Sequence, residues 1–188
     1  MPSGTHEYIQ DTRNDNILIY INGDIIPRPK AKISVFDSGF LLGDGVWEGI
    51  RLHNGQLVFL KEHMDRLYAG ASDIGMDIGM SSQDLTNKIM QTIEANKMYS
   101  NIHLRLIVSR GMKSTPYQHP RANIGGPTIV IIPEYKIVTE ESKDRGLKLV
   151  SVNTIRSSER TQDPKVNSLS KFNCIQACIE ADRLGADE

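Results

Sequence analysis

Four basic side chains stand where an anion can be gripped. Arg66 lies on a helical pattern, Arg105 and Arg110 lie along and at the end of a strand pattern, and Lys171 lies one turn into the last helical pattern. A guanidinium's planar fork pairs bidentately with phosphate or carboxylate, so arginine is fit to anchor either. Taken singly, an arginine reads as a solvated surface group. In the run HLRLIV, alternation puts His103, Arg105 and Ile107 on one face and Leu104, Leu106 and Val108 on the other. Either face can be the wet one, and periodicity alone does not choose.

Other chemistries find less support. The glycine-rich residues 39–45 match neither a P-loop nor a dinucleotide fingerprint, and a strand pattern follows them, so they read as a turn needing unusual backbone angles. The five histidines (His6, His53, His63, His103, His119) show no metal-ligand spacing, and no G-x-S-x-G elbow is present. Cys174 and Cys178, four apart in a helical pattern, share one helix face and read as two small apolar residues packing inward.

The elements that must position these groups follow from the pattern. Residues 1–16 read as a polar arm. Two hairpins follow, one turning at Asn22-Gly23 and one around His53-Asn54-Gly55, with a short apolar piece at residues 33–36 between them. From Lys61 the period becomes helical, with His63, Leu67 and Gly70 on one face. Ser82 is a candidate N-cap for a second helix through Met98, with Leu85, Ile89, Ile93 and Lys97 at spacing four. Strands at IHLRLIVS and TIVIIP bracket a long loop at residues 111–126 and complete a compact α+β domain over residues 17–135. Residues 136–145 are charged and read as a linker. Residues 146–155 read as a strand opening a further domain over residues 146–188. A last helix follows, with Phe172, Ile175, Ile179 and Asp182 near one face and Gly185 as its stop.

The chain has 188 residues, 39% hydrophobic and 24% charged, with a net charge of −1. That balance implies no general attraction to nucleic acid or anionic membrane, and the polar start does not read as a signal peptide. With no apolar run of about 20 residues to span a bilayer, the expected location is the cytoplasm.

The run YINGDIIPRPKAKISVFDSGFLLGDGVWEGIRLHNGQLVFLKEHMDRL (residues 20–67), the strand ending S-R-G and the closing D-P-x-V-x-S-L…E-A-x-x-x-G-A-D-E resemble the class IV aminotransferases, over about residues 17–188. The resemblance implies an α+β, fold type IV architecture: a small N-terminal α+β domain plus the beginning of a larger C-terminal cofactor domain that is incomplete at residue 188. It implies pyridoxal 5'-phosphate as cofactor and a homodimer, with an amino acid or amine and a 2-oxo acid as partners. Arg66 takes the position that binds the cofactor phosphate. Arg105 aligns with the substrate-carboxylate arginine of branched-chain enzymes, and Arg110 with that of D-amino-acid enzymes. Phe40 and Trp47 fall where aromatic residues line the substrate pocket.

One position departs from this pattern. Counting back from Glu180 by the family's spacing, the Schiff-base lysine should stand at 167, and Asn167 is there instead. An amide can neither form an imine nor take the α-proton. Lys171 is the expected replacement, since helical side chains lean toward the N-terminus and one turn is about 5.4 Å. Lys165, in the preceding loop, is the other candidate. The expected activity is amino-group transfer. The alternatives are a lyase of the aminodeoxychorismate type and a catalytically inactive binding or assembly module.

Overall fold

The computed structural model describes residues 11–137 and 144–188. Strands β1 (Leu18–Ile21) and β2 (Asp24–Pro27) form the first hairpin, and β3 (Gly45–His53) and β4 (Gln56–Leu57) the second. At both turns an Asn-Gly pair holds positive φ, 47° and 110° at Asn22 and Gly23, 48° and 76° at Asn54 and Gly55. That backbone matches the right-handed twist of the flanking strands. With β5 (Ile102–Ser109) and β6 (Thr128–Tyr135) they form one antiparallel sheet in the order β2-β1-β6-β5-β3-β4.

Alternation divides the sheet into two faces. Val46, Glu48, Ile50 and Leu52 of β3, the even-numbered residues of β5, and Ile129 and Ile131 of β6 are buried. Helix α2 (Leu60–Asp73) covers this face at β3, while α3 (Ser82–Ala95) packs on β1 and β6. They contribute Met64, Leu67 and Ala71, and Leu85, Ile89 and Ile93, to the core. The opposite face carries Trp47, His103, Arg105 and Ile107, each half-buried. A short helix α1 (Ser38–Leu42) ends at Gly43, whose φ of 67° turns the chain into β3.

Several boundaries differ from the sequence reading. The N-cap of α3 is Ser81, which accepts from the Asp84 N–H at 3.1 Å, so Ser82 is the first helical residue. The helix stops at Ala95 rather than Met98, because Lys97 turns into the left-handed region at φ 53°, and the Asn96 side chain bonds both the N–H and the C=O of Leu18, at 2.7 and 2.9 Å. The second hairpin's return strand is cut to two residues by Phe59, at φ 51°. Residues 12–16, expected as part of an arm, form a 3-10 turn; residues 1–10 lie outside the described residues. Of the expected linker, residues 138–143 also lie outside them.

The region after the linker departs further. Residues 146–155 form no strand: their backbone bonds go to the short stretch 187–188 and to the Glu180 carboxylate, not to a continuous neighbouring strand. Helix α4 (Phe172–Arg183) is present, and Gly185 at φ 66° follows its end. Its apolar face is not buried among the described residues, since Phe172, Ile175 and Ile179 are exposed. Cys174 and Cys178 are exposed as well, contrary to the inward packing expected, because no layer described here covers that side of the helix. No helix among the described residues is long and apolar enough to cross a membrane.

Asn14 gives a test of how the sheet is closed. Its side chain acts as a short extra strand, accepting from the Tyr135 N–H at 2.8 Å and donating to the Tyr135 carbonyl at 3.0 Å. Asn14→Ala leaves both groups without that partner and should cost about 1–3 kcal/mol. Urea unfolding should show a lower midpoint at unchanged slope.

Candidate active site

The site is organised around a carboxylate that alternation places on the apolar face of β3. The Glu48 side chain is fully buried. Arg66 grips it with two bonds, Nε to Oε1 and Nη2 to Oε2, each 2.6 Å. His63, one turn earlier on α2, sits with Nδ1 2.8 Å from Oε2, and the Asn167 amide nitrogen is 3.3 Å from Oε1. Burial pushes the Glu48 carboxyl up, but hydrogen bonds from Arg66 and His63, with the attraction of both groups, outweigh it. The net result holds Glu48 below its ordinary range, while the bond to Glu48 pushes the Arg66 guanidinium up. Half of the Arg66 side chain is exposed. Its Nη1 has no hydrogen-bond partner among the described residues.

The segment before α4 is laid along the free edge of β3. The Trp47 N–H donates to the Asn167 carbonyl at 2.9 Å, and the Leu169 N–H donates to the Gly45 carbonyl at 3.0 Å. The indole Nε1 of Trp47 donates to the Ser168 carbonyl at 3.1 Å. Gly45 is required at this junction: a Cβ there would lie 2.5 Å from the Val108 carbonyl and 2.7 Å from Leu169 Cδ1. Val166 anchors the segment by packing into the core.

Lys171 is the N-cap of α4, not a residue of its first turn, since regular helix begins only at Phe172. The backward lean of a helical side chain therefore does not govern it. Its Nζ lies over the Trp47 ring, 5.0 Å from the centroid, whereas the Asn167 side chain reaches the Glu48 carboxylate. Lys171 and position 167 thus address neighbouring residues of β3 whose side chains leave opposite faces of the sheet. Arg105 also lies over Trp47, with Cζ 4.0 Å from the centroid. Burial pushes its guanidinium below the ordinary arginine value, with partial compensation from Glu134. Neither Arg105 nor Lys171 makes a salt bridge among the described residues.

The remaining expected residues are placed differently. Arg110 is a cross-link: Nε and Nη2 hold Asp44 at 2.8 and 3.1 Å, and Nη2 and Nη1 donate to the carbonyls of Ile74 and Gly75 at 2.7 and 2.8 Å. Phe40, on α1, is largely exposed. Lys165 is exposed in the loop, where its backbone N–H donates to the Asp163 carboxylate. Glu48 and His63 were assigned no role by sequence reasoning. A signal existed in a glutamate standing in the apolar register Val46, Ile50, Leu52, with a histidine and an arginine three apart on the following helix. Asp44 left no such signal, because its partner Arg110 is supplied by a distant strand.

Comparison with known proteins gives a consistent picture. The family model for amino-transferase class IV matches residues 45–188. The putative branched-chain-amino-acid aminotransferase of Methanocaldococcus jannaschii is 36% identical over 172 residues, covering 90% of this chain and 57% of that protein. Branched-chain-amino-acid aminotransferase-like protein 1 of Arabidopsis thaliana is 35% identical over 173 residues, covering 92% and 31%. Among solved structures, the branched-chain aminotransferase from the thermophilic archaeon Thermoproteus uzoniensis with norvaline agrees in fold. It aligns with a TM-score of 0.79 at 24% identity, over 92% of this chain and 58% of that one. The chain therefore spans between about a third and just over half the length of these proteins.

The buried Glu48 makes a prediction of its own. Glu48→Gln removes the charge that balances Arg66, and breaking such a buried pair costs about 3 kcal/mol or more where both partners are desolvated. With Arg66 half in water, a loss nearer 2 kcal/mol is expected. Because the folded carboxyl titrates below its unfolded value, its contribution is fully present above the usual glutamate pKa of 4.5 and is lost as pH falls through the depressed value. Urea unfolding from pH 7 down to pH 3 should show a falling stability for the parent and a flatter curve for Glu48→Gln.

Proposed function

The chain belongs to the class IV aminotransferases, and from that membership we propose that it works in pyridoxal-phosphate-dependent transfer of an amino group between an amino acid or amine and a 2-oxo acid. The observation that carries the proposal is the pair of cations over one indole ring. Lys171 offers a primary amine over Trp47, and Arg105 a desolvated guanidinium over the same ring that makes no salt bridge among the described residues. An amine beside a carboxylate anchor is the arrangement that chemistry at the α-carbon of an amino acid requires.

The residues present suit the cofactor. A phosphate needs guanidinium hydrogens, and Arg66 offers Nη1 outward while Glu48 fixes its aim from behind. When bound, pyridoxal phosphate supplies an aldehyde carbon to carry the amino group and an electron-withdrawing ring. In this reading Arg66 holds the phosphate and Glu48 orients Arg66. Arg105 holds the substrate carboxylate, relieving the cost of its own burial. Lys171 Nζ would be the amine that holds the cofactor and the group that moves the proton at the substrate Cα. Trp47 forms one wall of the pocket, with Phe40 near its mouth. Arg105 is favoured over Arg110 because the fork of Arg110 is already spent on Asp44 and two carbonyls. The proposal includes a division into a small domain at residues 17–135 and a cofactor domain beginning at residue 146. It also includes a homodimer in the cytoplasm, as the family likeness and ordinary composition suggest.

Borohydride reduction of the cofactor-loaded protein, followed by peptide mapping, tests the central assignment. The cofactor mass should be fixed on the peptide carrying Lys171, and Lys171→Ala should abolish both the label and transamination. A label on Lys165, or none, would overturn the assignment. Arg66→Ala should weaken cofactor binding by about 1.5–3 kcal/mol, the range for hydrogen bonds to charged groups. Arg105→Ala should raise KM for the acid substrates at unchanged cofactor content, whereas Arg110→Ala should chiefly lower the unfolding midpoint.

A further inference from the structure

We propose that Trp47 is the positioning residue of this site, a platform whose three separate contacts fix where the Lys171 amine stands; the proposal rests on reading Lys171 as the reacting amine. Its backbone N–H holds the Asn167 carbonyl, its indole N–H holds the Ser168 carbonyl, and its ring face receives the Lys171 ammonium. One residue of a central strand thereby grips the segment 167–171 at its first two residues and its last. An indole is the best side chain for this task. It carries the most negative π-face among the aromatic residues and also a donor that reaches a carbonyl while the ring stays packed.

Gly45 and Gly49 flank Trp47 on the same face of β3, and Gly49 is paired across the sheet with Arg105. A Cβ built on Gly49 would stand 2.8 Å from His103 Nε2 and 3.6 Å from Trp47 Cζ3, so the indole edge lies in ordinary contact range beside a space that the glycine leaves chiefly to His103. The Arg105 guanidinium packs over the ring at 4.0 Å. Two cationic groups over one ring can be no farther apart than the sum of their distances to its centre. The ring thus puts an upper limit on the distance between the amine and the proposed carboxylate anchor. Without the platform Lys171 would be an unpaired lysine at a helix N-terminus, where the dipole disfavours a cation.

The test compares the parent with Trp47→Phe, which keeps an aromatic face but loses the indole donor, and Trp47→Leu, which loses both. Without added cofactor, acylation of each lysine by an acetylating reagent is followed by peptide mass spectrometry, with exposed Lys165 as internal reference. Lys171 should react more slowly than Lys165 in the parent. Its relative rate should rise about five-fold in Trp47→Leu, with Trp47→Phe between the two, as expected for loss of one cation–π contact. Because Trp47 is the sole tryptophan, Lys171→Met in the otherwise unchanged protein gives a second readout that keeps the platform intact. The indole emission should shift on removing the ammonium. Equal Lys171 rates in all three proteins, together with an emission spectrum unmoved by Lys171→Met, would overturn the platform whatever borohydride labelling shows. A changed rate and spectrum with no borohydride label on Lys171 would uphold the platform and remove only the amino-transfer reading of that lysine.

Discussion

A carboxylate buried among apolar side chains is tolerable only if its charge is matched where it stands, and Glu48 imposes that condition on everything around it. It occupies a register position between Val46 and Ile50 that alternation reserves for the core. Arg66 and His63 satisfy it from α2, which ties the rotation of the helix to the register of the strand. The same carboxylate receives the Asn167 amide from a segment more than a hundred residues later. One buried charge therefore registers helix on strand and holds the loop that leads into the last helix. Removing one partner alone would leave a buried charge without its match, so the strand, the helix and the loop cannot shift independently without that cost.

Two neighbouring residues of β3 divide the site between two faces. Glu48 looks toward the helices and governs Arg66 and Asn167, while Trp47 looks away and carries Arg105 and Lys171. The segment 167–169 can serve both because it lies along the strand edge and not over either face. Gly45 permits the close approach. Strand periodicity thus separates the Arg66 guanidinium from the Lys171 amine and the Arg105 guanidinium, while covalent continuity keeps Trp47 and Glu48 one residue apart.

The three arginines show how environment assigns roles to one residue type. Arg110 has its fork filled by Asp44 and two carbonyls and acts as a cross-link between the end of β5 and the loop after α2. Arg66 is filled on one side and open on the other. Arg105 is desolvated over an aromatic face, makes no salt bridge among the described residues and has the cost of its burial only partly offset by the charge of Glu134. Donors already spent cannot bind a ligand without first breaking what they hold.

Much of the scaffold was legible in the residues themselves. Asn-Gly pairs marked both hairpin turns, because few residues accept positive φ twice in succession. Strict alternation marked β5, and the spacing of Leu85, Ile89 and Ile93 marked α3. The motif around Trp47, Glu48 and Arg66 carried the resemblance to the family. These are local signals, each set by the conformational preference of a few adjacent residues. Other features turned on contacts between distant parts of the chain. Which face of β5 is wet depends on where α2 and α3 settle. Residues 146–155 have strand-like composition but no continuous partner, and a strand does not exist without one. The exposure of Cys174 and Cys178 depends on what packs over α4, which helical spacing does not encode. Lys171 is the sharpest case. Sequence spacing pointed its amine toward position 167, yet α4 starts one residue later and the Trp47 ring takes the amine instead. A side chain's direction is settled by the backbone angles at its own residue and by the surface that meets it, and both are set only when strand, loop and helix have packed together.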